Sequence, residues 1–557
     1  MGVAVALAAG GSTARGNAAV PAGNPIKAEN ARSGTTGWEV RGTNGAEVYA
    51  GEISASPGDE LQLHVSTAER YRVVVYRLGW YAGAGARLMA CVPGCTIDEQ
   101  GRAQLAPTGG EPIRAEWPVT DVVKTGRSWV SGYYLIEVLL TTGPDAGKAA
   151  TTFVILRSPP SASQSSILVQ VPVNTWEAYN QWGGKSLYDF GTPRAHAVSF
   201  DRPFGLDAQG PMWWEIQLVR FLEREGYDVS YQTDLDTDRD PASLLQHQLV
   251  IVAGHDEYWT MGMRRAFDQA QARGTNLAFM GSNDGYWHVD YQDGGRTIFS
   301  YKSMYDPNPI VSQKTAMFRE IGLPECELMG VQQVWIATLD HALDYTVTAA
   351  GAADPWLAGT GLHAGDTIAG VVGREHDQIN PYPQACFKPG LVDLFHYDGG
   401  TVDQNGDAVR WTAPSGARVF ASGAQEFSWA LDSWRADGSL FPQIPVGSDR
   451  SAQVDPRVQQ FMRNVLADLV RPAPPAGLTF RLTPRAAHVR VRRPLDPRVT
   501  GFIAAYRFGS GGWHRLCAGT TACAGRIRRG VGRFEVGAVA INRWDLSSAA
   551  QFAVAKR

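Results

Sequence analysis

The sequence predicts a multidomain protein in which two all-β units flank a central α/β unit with a doubly wound parallel sheet. Strand-like runs separated by turn residues, with few helical periods, dominate residues 37–157 and again residues 476–557. Between residues 167 and 472, apolar strands alternate with amphipathic helices, which is typical of a parallel sheet covered by helices. Two proline-containing linkers, at 157–166 and 472–475, separate the three regions.

Composition sets the broad class of the protein. The chain has 557 residues, and at roughly 150 residues per domain this indicates three or four domains. With 51 Lys and Arg against 55 Asp and Glu, the net charge of −4 excludes nucleic-acid binding driven by bulk positive charge. A hydrophobic fraction of 44% and a charged fraction of 19% indicate a globular chain. Since there is no long uninterrupted apolar run, the sequence excludes an integral membrane protein.

The N-terminus and the cysteines bear on localisation. Residues 1–25 contain a short apolar run at Val3–Ala9 followed by small residues, as at the end of a signal peptide, and the alternative is a disordered N-terminus. We therefore expect a secreted, extracellular protein. The six cysteines support export weakly. Proximity pairs Cys91 with Cys95 and Cys517 with Cys523, and leaves Cys326 with Cys386, although 15 pairings exist for six cysteines.

The two terminal regions are predicted to be β-sandwiches. In residues 26–160, the runs Tyr71–Arg77 and Tyr133–Leu140 are strand-like, and Pro57-Gly58 is a turn signal. Residues 473–557 again alternate, as at Val489 and Val491, and hold few helix signals. We expect a small sandwich of the fibronectin type III or immunoglobulin-like kind there.

The central region, residues 161–472, carries the signals of a parallel sheet. Its predicted strands are Ile167–Val173, Tyr227–Tyr231, Leu249–Ala253, Asn276–Met280 and Val419–Ala421. Its predicted helices are Trp213–Glu225, a helix capped by Thr260 that runs to Arg273, and a closing helix at Arg457–Val470.

Three segments that follow predicted strands are candidate functional loops. They are Asn174–Trp182, Gly254–Trp259 and Gly281–Trp287. Because ligands bind beyond the carboxyl ends of the strands in open α/β sheets, we expect these loops to converge. Their mixture of aromatic walls with a few polar groups is typical of a binding site.

Within these loops, His255, Glu257 and Asn283 are the main candidates for chemistry. In extended backbone, His255 and Glu257 share a face, and together they are suited to binding a metal or moving a proton. The structural alternative is that His255 bonds the backbone and Glu257 pairs with Arg264. Asn283 follows a Gly-Ser turn, where its amide either contacts a substrate carbonyl or stabilises the turn itself.

Several catalytic motifs are absent from the loops. No cysteine lies between Cys95 and Cys326, and no Gly-x-Ser-x-Gly elbow, P-loop or Rossmann glycine fingerprint occurs there. A covalent serine or cysteine mechanism is therefore disfavoured, which leaves a metal-bound water or a plain binding site.

Taken together, several motifs identify a family. The sequence resembles the N,N-dimethylformamidase large (beta) subunit from Asn30 to Leu469 in the runs SGYYLIEV, NTWEAYNQWGGKSLY, SFDRPF, LVRFLEREGYDVSYQTDLD, GHDEYWT and LAFMGSNDGYW. The resemblance implies an amide hydrolase on a glutamine-amidotransferase-like α/β domain, with one iron ion held by two tyrosines and one glutamate.

The resemblance also assigns roles to particular residues. Glu257 matches the family glutamate in its His-x-Glu element, of which His255 is the histidine. Asn283 matches an asparagine in the following strand-end loop, and Tyr134 matches a tyrosine of the first β domain. The second tyrosine follows the first α/β strand, where Tyr179 is the available phenol and Trp176 competes for the aligned position. The implied metal ligands are therefore Tyr134, Tyr179 and Glu257, and the implied catalytic residues are His255, Glu257 and Asn283. The cofactor is Fe(III) if Tyr179 supplies the second phenol, because an indole nitrogen is only a donor.

The main prediction is an exported, iron-dependent hydrolase of non-peptide amide C–N bonds acting on a small amide. One rival is a non-catalytic secreted protein that binds carbohydrate or a cell surface through its aromatic side chains. Another is a glycan hydrolase that uses Glu257 with a second carboxylate such as Asp284. Phe427 and Trp429 either line the pocket or pack in the core. The resemblance leaves two partners open, a separate small subunit or further copies of the chain.

Overall fold

The computed structural model describes most of the chain. The described ranges are 23–105, 110–159, 164–189, 191–205, 210–336, 343–373, 375–380, 386–434, 454–528 and 530–555. The protein is mixed α/β with strands predominating. Residues 1–22 of the predicted signal-like segment lie outside the described ranges. Within those ranges, no helix combines the length and apolar character that crossing a membrane requires.

Two β-sheets pack against each other in the N-terminal region, after a short helix at Pro25–Asn30. The first sheet contains Ala46–Ala50, Glu60–Thr67 and Asp121–Lys124. The second contains Ser54–Ala55, Ala149–Leu156, Gly132–Leu140, Arg70–Leu78 and Ala86–Val92, with Glu99–Gln100 paired to Arg70–Leu78. Both sheets contribute to one buried apolar cluster, which includes Leu63 and Val73.

The central sheet has nine strands and two halves. Five parallel strands come first, in the order Val229–Thr233, Ile167–Val171, Leu249–Ala253, Asn276–Met280 and Arg418–Ala421. Four antiparallel strands continue it, in the order Gly406–Thr412, Val392–Tyr397, Tyr345–Val347 and Thr367–Ile368. The sequence predicted the parallel half, because its strands are short apolar runs, but not the antiparallel half.

Helices cover both faces of this sheet. Successive strand residues point to opposite sides, and both sides are apolar. Val169 and Ile251 join a core with the helices Ile216–Arg224 and Pro456–Leu469, whereas Val250 joins the opposite core with the helix Met261–Ala272. The remaining α-helices of the described ranges are short: Val173–Tyr179, Asp234–Arg239, Cys326–Met329 and Ala349–Ala352. In the small sheets, Ala197–Ser199 and Asp290–Gln292 each pair with Thr297–Phe299. Tyr258–Trp259 pairs with Trp287–His288, and Gln332–Ile336 pairs with Glu375–Gln378.

The order of the parallel strands determines where a site can form. Numbered along the chain, they lie in the order 2-1-3-4-5 across the sheet. The strand order therefore reverses between Ile167–Val171 and Leu249–Ala253, and a crevice forms at the carboxyl ends of strands at such a point. The three predicted loops all leave the sheet near this reversal.

The C-terminal region forms two further sheets around its own core. One contains Gly477–Leu482, Ala486–Arg492 and Ala522–Arg526, and the other His514–Gly519, Val499–Phe508, Phe534–Asn542 and Gln551–Val554. Arg498 anchors this region by donating to the His247 carbonyl at 2.6 Å. Its fibronectin type III or immunoglobulin-like character stays a prediction, as do the domain boundaries.

All three predicted disulfides are present. Cys91 is bonded to Cys95, Cys326 to Cys386 and Cys517 to Cys523. The sequence pairing from proximity was therefore confirmed, including the bridge that spans 60 residues.

Candidate metal centre

Two glycines allow the strand-end loops to meet. Gly254 adopts a left-handed backbone with φ +64°, and a Cβ on Gly281 would lie 1.4 Å from the Gly254 carbonyl oxygen. No side chain fits at either position, so the chains leaving two neighbouring strands are in backbone contact. His255 and Glu257 follow Gly254 within three residues, and Asn283 follows Gly281 by two.

The loop after Gly254 sorts its side chains as the sequence predicted. His255 and Glu257 point to one side, and Asp256 points to the other, where it accepts a hydrogen bond from Gln170 at 2.7 Å. The predicted alternative partner of Glu257, Arg264, pairs instead with Asp268 at 3.2 Å and lies 3.6 Å from Glu327.

Glu257 is the centre of an oxygen cluster. The hydroxyl of Tyr179 donates to its Oε2 at 2.9 Å, and the hydroxyl of Tyr188 lies 2.8 Å from each of its two oxygens. The two tyrosine hydroxyls are 2.7 Å apart, and their rings stack at 4.2 Å. Two phenols and one carboxylate therefore meet at a single point, which we call the Tyr179–Tyr188–Glu257 cluster.

His255 lies beside this cluster. Its Nδ1 is 3.0 Å from the Ser282 carbonyl, which can only accept, so Nδ1 carries a proton. Its Nε2 faces Glu257 Oε2 at 3.4 Å and Glu375 Oε2 at 3.5 Å. Burial alone would lower the pKa of His255, but Glu375 and Glu257 outweigh burial and raise it to about 10.

The carboxylates respond to the same charges. Burial would raise the pKa of Glu257, but the neighbouring His255 and Lys302 lower it below its usual value. For Glu375, burial and the charge of Glu257 raise the pKa above its usual value. The site therefore holds two carboxyl groups of different acidity on either side of one imidazole, which is an arrangement suited to moving a proton.

Asn283 joins the site through Glu375. Its Nδ2 donates to Glu375 Oε2 at 2.8 Å, and its backbone N–H donates to Asp377 Oδ1 at 2.9 Å. Its φ of +56° is one that asparagine tolerates better than most residues, so the turn role and the site role coexist. Its Oδ1 is buried and has no hydrogen-bond partner among the described residues.

Lys302 lines the opposite side of Tyr188. Its ammonium donates to the Tyr258 hydroxyl at 2.6 Å and lies 3.5 Å from the centre of the Tyr188 ring. Burial lowers the pKa of Lys302 to about 8. Burial and the charge of Glu257 nevertheless raise the pKa of Tyr188 well above its usual value.

The structure does not bring Tyr134 to this cluster. Its hydroxyl donates to the Val130 carbonyl at 2.8 Å, and its ring stacks on Trp129 in the core of the N-terminal sheets. The physical reason is strand parity: Tyr133, its neighbour, points the other way and donates to Glu215 Oε2 at 2.7 Å.

Trp176 and Tyr179, the two candidates for the second tyrosine position in the first loop, also point to different places. Trp176 donates from its indole to Glu215 Oε1 at 2.8 Å, on the far side of Gly254. Tyr179, one helical turn later, is the residue that contacts Glu257. Phe427 and Trp429 pack in the core, where Trp429 donates to the Trp213 carbonyl at 2.8 Å.

Sequence reasoning missed Tyr188, Glu375 and Lys302. Tyr188 ends one of the runs that carry the family resemblance, so that run contained a signal for it. Glu375 lies on a strand paired with Gln332–Ile336, outside the central sheet, and Lys302 lies in a loop. No periodicity or motif marks these two residues.

Fold and site together define an α/β protein with a tyrosine- and carboxylate-lined centre at the carboxyl ends of its parallel strands. The profile of the family described as "N,N-dimethylformamidase beta subunit-like, C-terminal" matches residues 72–439, and the chain belongs to this family. The resemblance read from the motifs is thus confirmed, and membership suggests an amidohydrolase-type function. A search of curated protein sequences finds no significant match.

Solved structures give only weak likenesses. The chain is similar to the twitchin kinase region from C. elegans (19% identity, 15% of this chain and 16% of that chain, TM-score 0.14). It is also similar to titin domains A168–A170 (15% identity, 16% and 33%, TM-score 0.14) and to a Parabacteroides merdae β-glucuronidase (8% identity, 92% and 65%, TM-score 0.19). The chain thus spans less than two thirds of each of these proteins, and TM-scores this low support no conclusion about fold or function.

Proposed function

We propose that this protein hydrolyses the C–N bond of a small, non-peptide amide, using one Fe(III) ion held by Tyr179, Tyr188 and Glu257. The observation that carries the proposal is the meeting of two phenol oxygens and a carboxylate at 2.7–2.9 Å. Tyr188 here takes the place that the family resemblance gave to Tyr134.

The donor set fits the ion that the family implies. Phenolate and carboxylate oxygens are hard ligands, which suit Fe(III) rather than a soft metal. Two phenols sharing one carboxylate carry two protons that a trivalent ion would displace. Tyr179 and Tyr188 are partly exposed whereas Glu257 is buried, so the cluster is anchored on one side and open on the other.

Bound there, Fe(III) would supply a Lewis acid for the amide carbonyl and for a water molecule. The rest of the chemistry belongs to the chain. His255 is held by Ser282 at Nδ1 and moves a proton at Nε2, between Glu257 and Glu375. Glu375 is the proton acceptor of higher pKa, Asn283 fixes its orientation, and the Asn283 Oδ1 atom is left to accept from the substrate.

The rival hypothesis of a carbohydrate-binding groove finds less support. Of the six aromatic side chains that such a groove would use, Trp182, Tyr286 and Trp287 are partly exposed, whereas Trp176, Trp213 and Trp214 are at least 92% buried. The three buried side chains pack around Glu215 and the His255 ring rather than lining an open surface. Asp284, the second carboxylate of the glycan-hydrolase alternative, accepts the backbone N–H of Asp256 at 2.8 Å.

Export is part of the proposal. Three disulfides support a protein that folds in an oxidising compartment, because such bonds are rare in the reducing cytosol. The glutamine-amidotransferase-like character of the α/β unit stays a prediction, as does a small subunit or a homo-oligomer as partner.

The test is amine release from a panel of linear tertiary and secondary amides by the iron-loaded full chain. We expect turnover by the wild type, and a loss of at least ~10²-fold in Glu257→Gln, which leaves the shape of the side chain unchanged. Equal amine release by both proteins, or no release from any small amide by protein of proven iron content, would contradict the proposal.

A further inference from the structure

A second cluster of metal-ligating side chains lies away from the Tyr179–Tyr188–Glu257 cluster, in the antiparallel half of the central sheet. Asp393 and His396 belong to the strand Val392–Tyr397, and Asp407 belongs to the adjacent strand Gly406–Thr412. One ligand atom from each of the three lies within 4.8 Å of the others.

A β-bulge brings the three side chains to one face of the sheet. His396 lies directly opposite Asp407, and Asp393 lies opposite Val409. Residues three apart on a regular strand point to opposite faces, but the register shifts between Asp393 and Phe395. The extra residue reverses the parity and returns Asp393 to the face of His396, which is one of the things that bulges do.

The cluster contains more acceptors than the protein satisfies. His396 Nδ1 is 2.6 Å from Asp407 Oδ1, and Asp407 Oδ2 accepts the backbone N–H of Ile379 at 2.7 Å. Asp393 Oδ1 is cut off from solvent and has no hydrogen-bond partner in the described part of the chain. A shielded carboxylate oxygen without a donor costs free energy unless a cation binds it or the carboxyl group is protonated.

The charges around the three side chains also favour a bound cation. Among the described residues, no Lys or Arg forms an ion pair with either carboxylate, and His396 is the one cationic partner within 4.0 Å. The neighbouring Tyr345 adds no positive charge, so two carboxylates share one imidazole.

We propose that Asp393, His396 and Asp407 form a second metal site, which binds a divalent cation of the zinc class. One imidazole and two carboxylates are ligands that Zn²⁺ accepts, and three protein ligands leave a position for water. If no metal binds, the cluster is an Asp407–His396 pair beside a protonated Asp393, and the experiment below distinguishes the two cases.

A metal bound at this second site would stabilise a strand that contributes to the proposed active site. Asp407 holds Ile379, which follows the strand Glu375–Gln378 that carries Glu375. A metal that fixes Asp407 thereby fixes the end of that strand. The inference itself stands on the three side chains and does not need the proposed amide hydrolysis.

The experiment is equilibrium dialysis of chelator-stripped full chain against Zn²⁺, with zinc and iron measured by elemental analysis. We expect a stoichiometric zinc in the wild type, and binding at least ~10-fold weaker in Asp393→Asn and in His396→Gln, since even outer-shell changes cost this much. Asp403→Asn, an exposed acid between the two strands, is the matched control and should bind as the wild type does.

Two further comparisons make the result decisive. Zinc held by the Tyr179–Tyr188–Glu257 cluster would persist in Asp393→Asn and disappear in Glu257→Gln, so the proposal requires the opposite pattern. Iron content should be the same in Asp393→Asn and wild type. Equal zinc uptake by wild type and Asp393→Asn, or no stoichiometric uptake at all, would overturn the second site and leave the iron proposal untouched.

Discussion

The hydroxyl of Tyr188 lies 2.8 Å from both carboxylate oxygens of Glu257. The two residues are 69 positions apart, and a short backbone contact makes their meeting possible. Leu187 donates its N–H to the Ala178 carbonyl at 3.0 Å, which folds the loop back onto the helix Val173–Tyr179. Tyr188 is thereby laid against Tyr179, and the cluster gains its second phenol.

Removing the acid–base partner should separate catalysis from metal binding. Glu375 faces His255 at 3.5 Å and touches neither tyrosine hydroxyl among the described contacts. We expect Glu375→Gln to lower kcat by ~10²-fold or more, with KM and iron content changing little, because a general base contributes this much. Steady-state kinetics with parallel metal analysis checks it, and Glu320→Gln, an exposed carboxyl, is the control. Wild-type kcat in Glu375→Gln would remove Glu375 from the mechanism.

A buried ion pair holds the N-terminal sheets to the central unit. Arg77 binds Glu223 through two hydrogen bonds of 3.0 and 2.7 Å, and both side chains are fully buried. Arg77→Met should lower the free energy of unfolding by about 3–5 kcal/mol, because it strands a buried carboxylate. Arg77→Met combined with Glu223→Leu should recover a large part of that loss, since no charge is then unpaired. Urea unfolding of the three proteins measures this, and additive losses in the double variant would contradict it.

The strands and the convergence of their loops could be predicted, whereas the full ligand set could not. Leu249–Ala253 and Asn276–Met280 are apolar runs ended by glycine, so the strand-end rule correctly placed His255, Glu257 and Asn283 together. The strand-end rule makes no prediction for residues that reach the site from other parts of the chain. Glu375 reaches the site on a strand that follows Asn283 by 92 positions, and only the tertiary fold brings it there.

The sequence also could not decide which of two adjacent strand residues points toward the central unit. The SGYYLIEV run contains two adjacent tyrosines, Tyr133 and Tyr134, and a shift of one residue turns a strand side chain to the other face of the sheet. Tyr133 therefore reaches Glu215 in the central unit, while Tyr134 stays in the N-terminal core. The structure was needed to tell these two outcomes apart.

One buried histidine should give stability a defined pH dependence. His247 lies under the C-terminal unit, with Nδ1 2.9 Å from the Ser165 carbonyl, and burial lowers its pKa from 6.5 to about 3. Between these values the unfolded chain binds a proton that the folded protein refuses, so His247 makes stability fall as pH drops below about 6.5. The slope from this residue is at most about 1.4 kcal/mol per pH unit.

The variant His247→Asn isolates this contribution, because its amide can still donate to Ser165. We expect unfolding free energies of wild type and His247→Asn to run parallel above pH 7 and to converge as the pH falls from 6 to 4. Urea unfolding at several pH values measures the difference. Curves that stay parallel down to pH 4 would show that His247 is protonated equally in both states.

The most direct test of the central claim is the visible spectrum and iron content of three proteins: wild type, Tyr188→Phe and Tyr134→Phe. If Tyr179, Tyr188 and Glu257 hold the iron, the wild type and Tyr134→Phe both contain a single iron per chain with a tyrosinate-to-Fe(III) charge-transfer band. Tyr188→Phe then loses most of the iron, or keeps a weakened and shifted band. A Tyr188→Phe protein with wild-type iron and spectrum, beside a Tyr134→Phe protein that has lost both, would contradict the account.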